Sequence, residues 1–243
     1  MKRDYYNGEL ILINKPYKWT SFDVVNKIRY ALKKYQRNNN QSKIKNNQLK
    51  VGHAGTLDPL ATGLLIICTG KLTKEIDTYQ AKEKEYSGSF FIGATTPSFD
   101  LETKQDFTFP VSHVTDDLII ETSKKFIGTQ LQFPPAHSAI KKNGVRAYRN
   151  ARKGIETGIL SREVFISEFE ILKIEMPLVY FRVVCGKGTY IRALANDFGK
   201  ALNSGAYLHS LCRTRIGEFT LSNALSVEEF AASVNKHFEG AVA

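Results

Sequence analysis

The spacing of hydrophobic and polar positions divides this chain into short apolar runs and longer stretches of helical period. Leu10 to Ile13 is a compact apolar run that reads as a buried strand. The segment WTSFDVVNKIRYALKKY then changes period, and Val24, Val25, Ile28, Leu32 and Tyr35 share one helical face. Thr20 followed three residues later by Asp23 marks the start of that helix. Leu64 to Thr69 is a second apolar run, read as an interior strand. Lys84 to Gly93 alternates, which places Tyr86, Gly88, Phe90 and Ile92 on one face of another strand. Residues 94–114 show no period and read as loop. Thr115 to Phe126 predicts a helix with Asp116 and Asp117 in its first turn and Gly128 just past its end. Val164 to Ile174 and Leu178 to Val184 read as two strands around Met176 and Pro177. In GKGTYIRALANDFGKAL, Gly186 and Gly188 allow a sharp turn and Thr189 is placed to cap a helix. Ile191, Leu194, Ala195, Phe198 and Leu202 form the apolar face of that helix. Ser226 with Glu229 opens a last helix through about Phe238. A strand-heavy centre with helices between the strands predicts the α+β class.

Two stretches fall outside this pattern. Residues 36–48, QRNNNQSKIKNNQ, are polar and low in complexity and read as a surface insertion. Residues 132–160 hold Asn143-Gly144, a tight-turn signal, among Lys141, Lys142, Arg146, Arg149, Arg152 and Lys153, with Arg162 a little later. Tyr148 stands among these cations, so the segment has the composition of a nucleic-acid contact as well as that of a solvated face.

Charge narrows the partners. The 243 residues carry a net charge of +10, which favours an anionic partner, nucleic acid first and an acidic membrane surface second. Cys68, Cys185 and Cys212 are scattered, and no CxxC pair suggests zinc or a disulfide framework. The N-terminal MKRDYYNGE lacks the apolar core of a signal peptide, and no run is long enough to span a membrane. A reduced, cytoplasmic protein is expected.

The chemistry concentrates in VGHAGTLDPLATG, Val51 to Gly63. Gly52 and Gly55 let the backbone turn, and Pro59 fixes its own φ while pushing Asp58 away from helical geometry. A carboxylate is thereby presented on a stiff loop before a buried strand. Asp-Pro alone is ordinary turn chemistry. Gly63 to Lys71 has the wrong spacing for a phosphate loop, and Leu72 stands where Ser or Thr is required. The full string GHAGTLDPLATGLL resembles the active-site motif of the pseudouridine synthases, and Gly-His-x-Gly-Thr is similar to that of the TruB family, the tRNA pseudouridine-55 synthases.

Further segments follow that family in order, over roughly residues 8–220. NKPxxWTSF resembles its first motif and puts Lys15 beside the active site; the usual glycine is Lys18 here, which leaves the local turn open. Tyr86 in K-x-Y matches the active-site tyrosine. PPAHSAIKKNGVRAYRNAR resembles the RNA-contacting segment that includes Lys141 and Arg146, with His137 in place of the usual Tyr. GTYIR resembles the motif whose arginine, Arg192 here, pairs with the catalytic aspartate, and Tyr190 belongs to it; Gly186 replaces the usual Ser. GAYLHSLCRTRIGEF resembles GAxLxxLxRTxxGxF, with Leu211 at the leucine that packs on the target base and Cys212 replacing a common arginine. Read from the residues alone, each of these also has a plain structural explanation.

The resemblance implies a mixed, mostly antiparallel central sheet flanked by helices, with the active cleft across it. It implies a single catalytic domain over residues 1–243; many bacterial relatives continue into a C-terminal PUA domain, for which no room is expected here, and a monomer is expected. The implied reaction turns uridine into pseudouridine in the T-arm of tRNA. Asp58 would be the nucleophile, attacking C1′ or C6 or assisting a glycal route, with no metal and no cofactor. Arg192 would keep Asp58 ionised, Tyr86 would stack on the everted base, and His53 would stack in the space that base vacates. Three alternatives remain. One is a non-catalytic RNA-binding protein, and another is a carboxylate glycosidase with Asp77 or Glu85 as second acid. The third is a synthase for a different RNA uridine.

Overall fold

The computed structural model describes residues 4–38, 49–135, 141–142, 145–146 and 160–236. Its first elements are β1 (Leu10–Lys15), α1 (Ser21–Asn38), β2 (Val51–His53), β3 (Thr62–Thr69), α2 (Ile76–Ala81) and β4 (Lys84–Ile92). A small pair, β5 (Ala94–Thr95) and β6 (Phe107–Thr108), precedes α3 (Asp116–Lys124) and β7 (Gly128–Gln132). Then come β8 (Lys141–Lys142), β9 (Val145–Arg146), β10 (Arg162–Glu175), β11 (Leu178–Cys185), α4 (Ile191–Ala201), β12 (Ala206–Ile216), β13 (Phe219–Thr220) and α5 (Val227–Lys236). The chain forms two compact units, Met1–Lys84 with Cys212–Ala243, and Glu85–Leu211. The unit boundaries fall inside β4 and β12.

In the first unit β3 is the central strand. It runs antiparallel to β1 and to β2, and parallel to the end of β12, where Arg213 stands opposite Gly63. Its apolar run is continuous because both its faces are covered. Leu65 and Ile67 pack with Ile13, Val25, Ile28 and Phe230, whereas Leu64, Ile66 and Cys68 pack with Ala54 and Ile216. Each such side chain contributes about 1.5–3 kcal/mol by burial, so the loop preceding β3 is carried on the best-anchored strand of the unit. Helix α1 starts with the reciprocal pair read from sequence: Thr20 N donates to Asp23 at 2.8 Å and Asp23 N to the Thr20 hydroxyl at 3.1 Å. Ser226 and Glu229 open α5 in the same way, at 2.7 and 3.0 Å. The two helices pack on each other over β1.

The second unit is ordered β12, β4, β11, β10, β7, with β10 antiparallel to both β11 and β7. One parallel pair among these antiparallel ones makes the sheet mixed and mostly antiparallel, as expected. Phe90, Phe169, Phe181 and Phe198 form an aromatic core, with Phe90 stacked on Phe181 at 4.2 Å between centroids. Phe198 thereby fixes α4, and with it the first helical turn that carries Arg192.

Three local expectations change. Thr189 does not cap α4: its hydroxyl turns back to the Gly186 carbonyl. The free N–H of Tyr190 is met instead by the Gln132 side chain at 2.7 Å, from β7, a strand too polar to be read as one. Residues 94–114 are not all loop, since β5 and β6 pair there. Gly52 is not a turn residue but sits in β2, where a Cβ would meet Ile76 Cδ1 at 2.7 Å. Positive φ falls at Gly55 (+101°) and Gly63 (+103°), one on each side of Asp58. The Asn143-Gly144 turn, residues 39–48 and most of the basic segment lie outside the described residues.

Candidate active site

Asp58 lies half-buried in the connection from β2 to β3, in the first unit. Each carbonyl around it has a donor. Arg213 reaches Gly55 O at 3.1 Å and, more weakly, Thr56 O at 3.5 Å. The Ser21 hydroxyl donates to Leu57 O at 3.2 Å and accepts from Leu57 N at 2.9 Å. Ala61 N donates to Asp58 O at 3.1 Å, and Lys18 N to Pro59 O at 2.9 Å. Lys15 Nζ adds a 3.3 Å bond to Pro59 O. Lys18 makes its bond from a left-handed backbone, φ +66°, a conformation that glycine adopts more easily.

The motif puts Lys15 beside the active site, and the structure places it beneath the loop: it is 0 % exposed, and its ammonium donates to Pro16 O, Trp19 O and Pro59 O. So placed, it holds the loop from below. Burial, then repulsion from Arg213, brings its pKa down to about 8, against the pull of Asp58 and Asp23. Its folded value lies below the unfolded 10.5, so charged Lys15 weighs against folding below about pH 8, and that cost disappears as pH rises toward 10.5. Relative to Lys15→Met, the wild type should therefore gain roughly 2 kcal/mol of unfolding free energy from about pH 7.5 to about 9.5. Urea melts of both proteins at the two pH values check this, and a difference independent of pH rejects it.

His53 ends β2. Burial, and then Arg213, hold its imidazole below the ordinary range, while a Gly55 backbone bond acts the other way. Its Nδ1 is buried without a hydrogen-bond partner. A neutral ring is suited to stacking.

The second unit carries Tyr86, Tyr190, Arg192 and Leu211. Tyr86 and Leu211 are buried on β4 and β12. Tyr190 is the N-cap residue of α4, and the Arg162 guanidinium lies 4.6 Å over its ring. Arg192 is 3 % exposed, with Nε 3.6 Å from Asp100 and NH1 3.2 Å from Ser98 O. Lys141 and Arg146 are strand partners in the β8–β9 pair, and their side chains lie outside the described residues. Of the acids considered for glycosidase chemistry, Glu85 is paired with Arg182 at 3.1 Å and Asp77 stands exposed in the first turn of α2. Among the described residues no group of three or more His, Cys, Asp or Glu side chains is arranged to hold a metal ion.

Sequence reasoning missed Arg213, Ser21 and Asp100. A signal existed for Arg213: it stands two residues after Leu211 on a strand and so shares its inward face.

Comparison with known proteins gives consistent matches. Residues 41–191 match the family profile described as TruB family pseudouridylate synthase, N-terminal domain. The chain is 54% identical over 231 residues to tRNA pseudouridine synthase B of Flavobacterium johnsoniae, covering 95% of this chain and 98% of that protein. It is 53% identical over 226 residues to the protein of the same name from Parabacteroides distasonis, covering 93% of each. Among solved structures, a chain of a Cbf5–Nop10–Gar1 complex matches with a TM-score of 0.69 and 27% identity, over 97% of this chain and 57% of that one. A chain of the archaeal box H/ACA sRNP Nop10–Cbf5 complex matches with a TM-score of 0.68 and 25% identity. The present chain thus spans little more than half the length of those solved chains.

Proposed function

The chain belongs to the TruB family of pseudouridylate synthases, and from that premise we propose that it isomerises uridine to pseudouridine at position 55, in the T-loop of tRNA. The observation that carries the reading is Asp58 itself, a half-buried carboxylate on a loop whose main-chain carbonyls are met from Gly55 to Pro59. A nucleophile gains from being held in place before substrate arrives.

In the reaction the bond from N1 to C1′ breaks, the base turns, and C5 bonds to C1′ as the C5 proton leaves and N1 gains one. Asp58 attacks C1′ or C6, or assists a glycal route. Arg192 has the role the GTYIR motif implies, a guanidinium that favours the ionised carboxylate. Tyr86 and Leu211 receive the everted base, and His53 and Tyr190 contact the RNA around it. The charge of +10 supports a polyanionic substrate, with Lys141 and Arg146 in the basic segment as phosphate contacts. A tRNA substrate fits a cytoplasmic enzyme.

Unmodified tRNA transcripts, with the product position mapped, test this. Conversion at uridine 55 is expected without added metal or nucleotide, and affinity should fall about 10²-fold or more between about 50 and about 200 mM salt. Product at another uridine, or none, overturns the assignment.

A further inference from the structure

Arg213 is 1 % exposed, the largest of the fully buried side chains among the described residues. Its guanidinium opens under the Asp58 loop: Nε donates to Leu64 O at 2.8 Å, NH2 to Gly55 O at 3.1 Å and NH1 to Thr56 O at 3.5 Å. One side chain therefore joins the segment before Asp58 to the start of β3 behind it. The seat depends on one glycine. At Gly63, opposite Arg213 in the parallel pair, a Cβ would meet Arg213 O at 2.4 Å and Arg213 N at 2.7 Å. At Gly55 a Cβ would make only ordinary contact, 3.6 Å from Arg213 NH1, and it is the positive φ of +101° that favours glycine there. The backbone is thus bare where β12 passes closest to β3.

A buried cation is expensive unless its donors are used. A hydrophobic residue would fill β12 without that cost, so the choice of arginine calls for a reason. A planar fork of donors bonds several carbonyls in fixed directions, which an ammonium cannot do. Arg213 also exerts its charge locally, as a cause of the lowered values of both Lys15 and His53, the two titratable neighbours that flank the loop. Asp23, at the start of α1, is the other acid acting on Lys15.

We propose that Arg213 is a positioning residue for the nucleophile: its guanidinium sets the course of the Asp58 loop from within the first unit and leaves a positive charge beneath it. The inference rests on Asp58 being the nucleophile. Its test is separable from that reading, because wild-type turnover and its loss on changing Asp58 judge the reading alone.

The experiment is single-turnover conversion of a tRNA transcript at saturating enzyme, with Arg213→Lys and Arg213→Gln, alongside thermal melts and tRNA binding. A loop displaced by about 1 Å costs about 10² in rate. Arg213→Gln should show a rate constant about 10²-fold lower, with full amplitude and with tRNA affinity within about threefold of wild type. Arg213→Lys keeps the charge but loses the fork and should recover only part of that rate. Loss of amplitude with an unchanged rate constant, in Lys and Gln alike, means that Arg213 merely supports the fold and overturns the proposal. If Arg213→Gln does not fold, Arg213→Lys decides, and a wild-type rate constant in that variant is equally fatal.

Discussion

Asp58→Asn should yield a folded protein that binds tRNA and makes no detectable pseudouridine. The side chain keeps its shape and loses its charge, and with it the nucleophilicity of a carboxylate. The surrounding loop has no reason to move, since its carbonyls are bonded by Arg213, Ser21, Ala61, Lys18 and Lys15. Stability should stay within about 1 kcal/mol of wild type, as for replacements that open no cavity. Affinity for tRNA should change by less than about threefold, because phosphate contacts dominate it. Turnover should fall by at least about 10⁴-fold, as it does when a covalent nucleophile is removed. Nucleoside chromatography of digested tRNA reads the product directly. Turnover at even a few hundredths of the wild-type rate would move the nucleophile elsewhere.

Much of this site was open to a reader of the sequence because its signals are local. The string around Asp58 is contiguous, and the helix starts at Thr20 and Ser226 depend on residues three apart. The buried face of α1 follows from the period of Val24, Val25, Ile28 and Leu32. Contacts between distant residues were not legible. Nothing in TPSFDLET marks Asp100 as the partner of Arg192, and nothing near Leu57 announces the Ser21 hydroxyl. Lys15 shows the limit most clearly. Its motif placed it at the active loop, and the structure agrees, but a motif does not say whether a side chain faces the ligand or the backbone. The Thr189 cap failed for a related reason. A hydroxyl one residue from a helix start is a plausible cap until a glutamine from β7 takes the N–H first.

Arg192→Lys should lower the single-turnover rate about 10³-fold while leaving tRNA binding largely intact. The size follows from removing a preorganised donor array aimed at a reacting charge, which a single ammonium does not reproduce. Arg192 also has structural work in its own unit, beside Asp100 and the Ser98 carbonyl, so loss of activity alone would be ambiguous. Asp100→Asn separates the two. It weakens the buried ion pair while Arg192 keeps its charge and fork, and it should cost about 1.5–3 kcal/mol of stability. Its rate constant should stay within about tenfold of wild type, because the Ser98 carbonyl still holds NH1 at 3.2 Å and Asn still presents an oxygen to the guanidinium. The two variants should therefore part company: both lose some stability, but Arg192→Lys is slow and Asp100→Asn nearly as fast as wild type. Equal losses of rate and stability in both would reduce Arg192 to a prop for α4 and leave Asp58 without its assigned counter-charge.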